Sequence, residues 1–248
     1  MIDFPLRSKL YIRTGLFLSV ISLYIFNPSL LRSIMTFGGM IKVYHLFWLY
    51  LMYEIALKII PPLNHHVASG KHLKKHYNPT PTIPKEKLSA YTHTMNKGMI
   101  KVTLFWVICN SIIFYIVWQL PHRQHLYFLL FLLYYMCDMW CANVFCIFQA
   151  FFMHNRCCTV CRIYNYDQFM YCMPLLLIPS WYTYSLAGFA LLALLQWEYL
   201  HYKYPERFSV LTNKSLQCKY CKEKRCKKLL PMPNQFLKRD RQKNTLSH

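Results

Sequence analysis

The chain has 248 residues, of which 55% are hydrophobic and 17% aromatic against 15% charged, and it carries a net charge of +20. That is the composition of a membrane protein, too apolar for an ordinary soluble domain. Six glycines and no ten-residue alternation of apolar and polar positions argue against a β-barrel.

In chain order, apolar runs occupy Leu10 to Phe26, Val43 to Ile60, Met99 to Leu120, Leu126 to Met153 and Gln168 to Leu200. A spanning helix needs roughly 20 such residues. The expected fold is therefore all-α: a polytopic transmembrane helical bundle of four to five apolar segments, one with the features of a re-entrant arm, and a small Cys-rich C-terminal tail. The first run follows Arg7, Lys9 and Arg13, and no small-x-small cleavage site precedes Asn27 and Pro28, so it reads as a retained signal anchor. In the second, Glu54 and Lys58 stand at i and i+4, a spacing that allows a helical ion pair, and Pro61 and Pro62 stop the helix. Residues 1–60 thus form an N-terminal membrane region.

Residues 61–98 form a basic, His-rich polar linker with His65, His66, His72 and His76. Solvation is the simpler account of these histidines, with zinc binding as the alternative. Ser69-Gly70-Lys71 lacks the spacing of a phosphate-binding loop. The membrane domain, 99–200, opens with a hairpin from Lys101 to Met153 turning at "PHRQ", residues 121–124. Both hairpin ends then emerge on one side. If the basic linker and the basic tail, 201–248, both stay cytoplasmic, one of the last two runs must enter and return or the charge rule fails, and Gln168 to Leu200 is the better suspect. Pro174, Pro179 and "LIPSWY" offer the break, with Trp181 to Leu200 as the spanning part. The expected location is an integral cell membrane, the bacterial inner membrane, with a cytoplasmic tail. Lys219, Lys222, Lys224, Arg225, Lys227 and Lys228 of that tail set topology, and anionic lipid headgroups are their alternative partner. Nucleic acid binding is disfavoured.

Eleven cysteines need a cause. Cys109 and Cys172 read as packing residues. Cys157, Cys158 and Cys161 make C-C-x2-C beside Arg156 and Arg162, while Cys218, Cys221 and Cys226 make C-x2-C-x4-C in the tail. A C-x2-C spacing turns two sulfurs toward one centre, and structural zinc or an iron–sulfur cluster typically takes four ligands. Each cluster supplies three, so completion needs a histidine, a thiolate shared between clusters or a non-protein ligand. Flanking cations favour the metal-binding thiolate, and a cytoplasmic placement disfavours stable disulfides.

Cys137 and Cys141, at i and i+4, share a helix face and are candidate cofactor-binding residues, whereas Cys146 falls near the opposite face. Asp138 is an ionisable group at membrane depth, which marks either a functional site or a buried partner such as Arg162. Arg162 and Asn165 adjoin the thiols and can bond to sulfur, an anionic substrate or a headgroup; with Asp138 they are the catalytic candidates. Asp167 is placed to N-cap the helix beginning at Gln168.

"CDMWC", "FCIFQ", "NRCCTVCRIYNYD" and "LQCKYCKEKRC" together resemble a group of poorly characterised, cysteine-rich bacterial integral membrane proteins, over roughly residues 125–228. A fainter similarity is to membrane-bound ferredoxin-type quinol oxidoreductases, from which the chain departs: it has no C-x2-C-x2-C-x3-C-P run, and Ile147 follows Cys146 where those proteins often have proline. The first of those groups carries no established reaction, and the resemblances serve to order the readings: the first expectation is a membrane redox protein binding an iron–sulfur or related metal centre through loop and tail cysteines, with a quinone or a protein as electron partner. The alternatives are a zinc-stabilised scaffold or partner-binding protein and a membrane thiol-disulfide oxidoreductase; headgroup chemistry by Asp138, Arg162 and Asp167 is a further one.

Overall fold

A computed structural model describes residues 6–27, 29–30, 43–80, 83–155 and 157–220. These residues are helical, with no strand among them beyond an isolated bridge between Pro79 and Asn213. The helices are α1 (Leu6–Phe26), α2 (Val43–Ile59), α3 (Val67–Gly70), α4 (Lys85–Trp118), α5 (Arg123–Asn143), α6 (Asp167–Cys172) and α7 (Trp181–Lys203). Short 3-10 turns and a π-helical stretch, Phe148–Met153, connect them.

Three helices, α1, α4 and α5, are long and apolar enough to cross a membrane. The hairpin turn falls where "PHRQ" places it, with His122 at φ 57°. Helix α4 begins well before its apolar run: its 34 residues take in the polar stretch from Lys85 and make it about 51 Å long. The two other runs are less regular. Helix α2 has 17 residues and carries Glu54 and Lys58. The run from Gln168 is broken: α6 ends at Cys172, Pro174 sits in a 3-10 turn over Met173–Leu177, and Ile178 is extended before α7 starts.

The chain divides into two compact units. The first draws on Met1–Asn64, Ser111–Met139 and Asn165–Gln196. Its core joins Leu51 and Ile55 of α2, Tyr127, Phe131 and Tyr135 of α5, Tyr171 and Leu175, and Ala187, Ala190 and Ala193 of α7. Phe131 stacks on Tyr135 at 5.9 Å between centroids, and Tyr171 meets Tyr135 edge-on at 5.3 Å; each such pair contributes about 0.5–1.5 kcal/mol beyond its buried area. The small alanines let α7 approach closely, the usual device where the surroundings are as apolar as the interface. Two polar bonds fix its position, from Trp48 Nε1 to Ser185 Oγ at 3.0 Å and from Gln196 Nε2 to the Ile59 carbonyl at 3.2 Å.

The second unit draws on His65–Asn110, Trp140–Tyr164 and Trp197–His248. Trp197 is wholly buried, donates from Nε1 to the Arg162 carbonyl at 2.9 Å, and meets His72 and Phe208 edge-on. The segment read as a solvated linker is folded here: Lys71 and His72 are 0% and 1% exposed. The start of the tail is folded too. Asn213 accepts from the amides of Asn78 and Ser215 and donates to the Arg207 carbonyl, tying the tail to the former linker. Gly98 allows a close approach: a Cβ there would lie 2.9 Å from Met153 Sδ and 3.2 Å from the Phe152 carbonyl oxygen.

Candidate thiol site

In the second unit, Cys157 is extended and precedes a 3-10 turn over Cys158–Val160. Its sulfur accepts from the Thr159 amide at 3.4 Å, and the Cys161 amide closes the turn on the Cys158 carbonyl at 3.0 Å. Cys158 Sγ lies 3.8 Å from Gln149 Oε1 on the π-helical stretch. All three cysteines are unbridged and buried.

Helix α3 packs against this turn and leads directly into Lys71. Ala68, Ser69 and Gly70 are buried, so their small size lets the chain come close. Lys71 Nζ donates to the Thr159 carbonyl at 2.9 Å and to the Cys161 carbonyl at 2.5 Å, and lies 5.2 Å from the centre of the Trp197 ring. No carboxylate among the described residues pairs with it. Burial pushes the Lys71 ammonium down to about 8, against the opposing pull of the Cys161, Cys157 and Cys158 thiols. Burial likewise pushes the Cys161 thiol up, while Lys71 draws it down. His72 is pushed down to about 4, chiefly by burial, which leaves a neutral imidazole at pH 7.

The other candidates are placed as follows. Arg162 is buried, and its terminal nitrogens bond to Glu198 Oε1 and Oε2 at 2.7 and 2.5 Å, with Nε on Asn96 Oδ1 at 3.2 Å. Its guanidinium is thus committed to Glu198 and Asn96. Asp138, in the first unit, pairs with Arg13 Nη1 at 2.8 Å and not with Arg162. The other arm of Arg13 grips Glu54 at 2.9 and 3.2 Å, and the Tyr50 and Tyr135 hydroxyls donate to the same carboxylate. Glu54 is therefore taken by Arg13, and Lys58 reaches Asp167 at 2.5 Å, so the expected i, i+4 pair gives way to partners on other helices. Asp167 is the first residue of α6 and Tyr166 its N-cap; Asp167 Oδ1 accepts from the Gln168 amide, one position off the expected capping role. Asn165 is buried in the first unit, Cys137 is exposed there, and Cys141 is half-buried in the second.

No three or more His, Cys, Asp or Glu side chains gather as a metal site among the described residues. Cys218 is exposed in a 3-10 turn over Cys218–Tyr220, while Cys221, Cys226 and Arg156 lie outside the described residues. The turn over Lys214–Leu216 packs both on α3 and on the turn that contains Cys218. Helix α3 is thus flanked by the loop thiols and by the approach to the tail cysteines.

Sequence reasoning passed over Lys71, Trp197 and Glu198. The available signal for Lys71 was the three small residues before it, Ala68, Ser69 and Gly70, which let the chain pack closely even inside a Lys- and His-rich run. Comparison with known proteins returns no matching family model, no matching curated protein and no matching solved structure.

Proposed function

We propose that this is an integral membrane redox protein in which Cys157, Cys158 and Cys161 hold an anionic metal centre together with Cys218, Cys221 and Cys226. An iron–sulfur cluster is the first choice and zinc the second. One observation carries the reading: a fully buried ammonium is held by two backbone carbonyls of the cysteine turn and pairs with no carboxylate among the described residues. A buried charge without a counter-charge costs several kcal/mol, and thiols that release protons to a metal supply that counter-charge. Iron–sulfur clusters are held by thiolates, and the amide bonded to Cys157 and the Lys71 cation are the surroundings that tune them. The position of α3 supports recruitment of the tail donors. In this reading the chain crosses the bacterial inner membrane four or five times, the cysteines and tail are cytoplasmic, basic tail residues meet anionic headgroups, and electrons pass to a lipid-soluble or protein partner.

The test is purification without oxygen in mild detergent, followed by iron, zinc and acid-labile sulfide per chain and a visible spectrum. Iron with equal sulfide is expected, falling at least tenfold in Cys161→Ser and Cys221→Ser. Zinc alone would make the protein a zinc-tied scaffold. Neither metal, with a reducible Cys158–Cys161 disulfide, would favour thiol exchange, a second reading that rests on the C-x2-C pair and that the raised Cys161 thiol opposes.

A further inference from the structure

Helix α7 leaves one face exposed along its length. Trp181 and Tyr184 stand at its start, Leu192 and Leu195 in its middle, and Tyr199 and Tyr202 at its end. At 3.6 residues per turn these six fall within about a quarter of the circumference. Gly188 on the same face is open too: a Cβ there would meet nothing within 4 Å. An aromatic, aliphatic, aromatic order suits a helix face in lipid, because amphipathic Trp and Tyr rings settle at the two headgroup levels. The spacing agrees. From Trp181 the helix rises about 27 Å to Tyr199 and about 32 Å to Tyr202, against a hydrocarbon core of about 30 Å.

The two ends differ in charge. No charged residue lies between Asp167 and Glu198, so the Trp181 end is neutral. At the other end, Lys203 Nζ donates to the Tyr199 hydroxyl oxygen at 3.5 Å and lies 5.4 Å from the centre of the Tyr204 ring. The Arg207 guanidinium carbon is 3.8 Å from the same centre, so one ring gathers two positive charges. Arg207 gives Nη1 to the His72 carbonyl at 2.9 Å. Among the described residues no carboxylate pairs with Lys203 or Arg207. Uncompensated positive charge therefore adjoins the exposed tyrosines.

We infer that the C-terminal end of α7 docks on anionic phospholipid headgroups, with Lys203 and Arg207 supplying the charge that selects them and Tyr199 and Tyr202 marking the edge of the hydrocarbon. Docking of this kind presupposes the membrane placement proposed above, not the metal centre. It lies in the folded part of the chain, apart from the lysines beyond Cys221. Charge alone would suit any anion. The tyrosine and leucine face that runs on from the cations suits an anion whose acyl chains continue along Leu195 and Leu192.

The experiment places the full-length protein in phosphatidylcholine nanodiscs doped with phosphatidylglycerol that carries a photoreactive diazirine on its headgroup, and maps the label by peptide. Labelling of Tyr199–Arg207 is expected, competed by excess phosphatidylglycerol but not by phosphatidylcholine, nor by inorganic phosphate at equal ionic strength. Lys203→Gln should weaken it roughly fivefold, and Lys203→Gln with Arg207→Gln at least tenfold. Lys203 is exposed, so its single variant decides if the double one does not fold. Replacing Lys222, Lys224, Arg225, Lys227 and Lys228 by Gln should leave the label at this end of α7 in place. Equal labelling by a phosphatidylcholine probe, competition by inorganic phosphate, loss of label with the tail lysines, or indifference to Lys203→Gln overturns the inference and leaves the membrane placement standing. So does label elsewhere only, as when a second copy covers this face. Release of the native protein from membranes by alkaline carbonate overturns the membrane placement, and the docking with it.

Discussion

Arg13 in the first unit and Lys71 in the second are both buried cations, and the two are treated differently. Arg13 in the first unit is shared between two carboxylates, with two tyrosine hydroxyls completing the shell around Glu54. Lys71 in the second has two carbonyl oxygens of the cysteine turn and an aromatic face. The first arrangement is electrically complete once Lys9, 3.9 Å from Glu54, balances the second carboxylate, and it serves to hold α1, α2 and α5 together; buried charges are costly unless paired. The second is complete only when something negative forms at the sulfurs. Burial of charge is therefore not by itself a mark of function; the missing counter-charge is.

The largest effect should come from breaking the complete network. Arg13→Met leaves Glu54 and Asp138 without their guanidinium and should cost about 3–5 kcal/mol in detergent unfolding. Adding Glu54→Gln and Asp138→Asn should return much of that loss; if the triple variant is no more stable than the single one, the network is not self-neutralising.

At Lys71 the difference becomes a dependence on pH. Its folded-state value near 8 lies below the 10.5 of an unfolded lysine, so the unfolded chain binds more protons between the two. For metal-free protein the penalty is complete below pH 8 and disappears as pH rises to 10.5, amounting to about 3 kcal/mol. The stability gap between Lys71→Met and the native chain should therefore close by about that amount across this window, in thermal melts at stepped pH. In metal-loaded protein the gap should reverse at pH 7, with Lys71→Met the less stable. A comparable acid term belongs to His72, whose folded value near 4 lies below the ordinary 6.5. Stability should fall as pH drops from 6.5 to 4 and level off below, by up to about 3 kcal/mol, and His72→Phe should flatten that slope.

A smaller effect separates packing from charge. Gly98→Ala forces its new methyl against Met153 and should cost about 1–3 kcal/mol. Met153→Ala in the same chain should relieve the clash while adding its own cavity, so the two changes should be clearly non-additive in chemical unfolding.

The helices were legible where periodicity and length agree. The hairpin at "PHRQ", the proline break before α7 and the apolar α1 all stand where the residues place them. The cysteine turn was also readable, because C-C-x2-C is a local pattern. What escaped was long-range pairing. Nothing near Asp138 or Glu54 in sequence announces Arg13, which lies 125 and 41 residues away. Composition also misled for residues 61–98: a run rich in His and Lys looks solvated, yet Lys71 and His72 pack around Trp197, a residue that looked like part of an ordinary apolar span. Polar residues drawn inward by tertiary contacts leave no periodic signal.

The bonds that Asn213 makes to Asn78, Arg207 and Ser215 act as a mooring for the chain beyond it. Cys218, Cys221 and Cys226 follow that point by five, eight and thirteen residues. A tether this short corresponds to an effective concentration on the order of millimolar, so any join between those thiols and the loop would be intramolecular and indifferent to dilution. If the proposed metal centre is held by both clusters, cutting the chain between Asn213 and Cys218 would turn the tail thiols into a separate peptide, whose capture of metal with the loop would depend on how much of it is added.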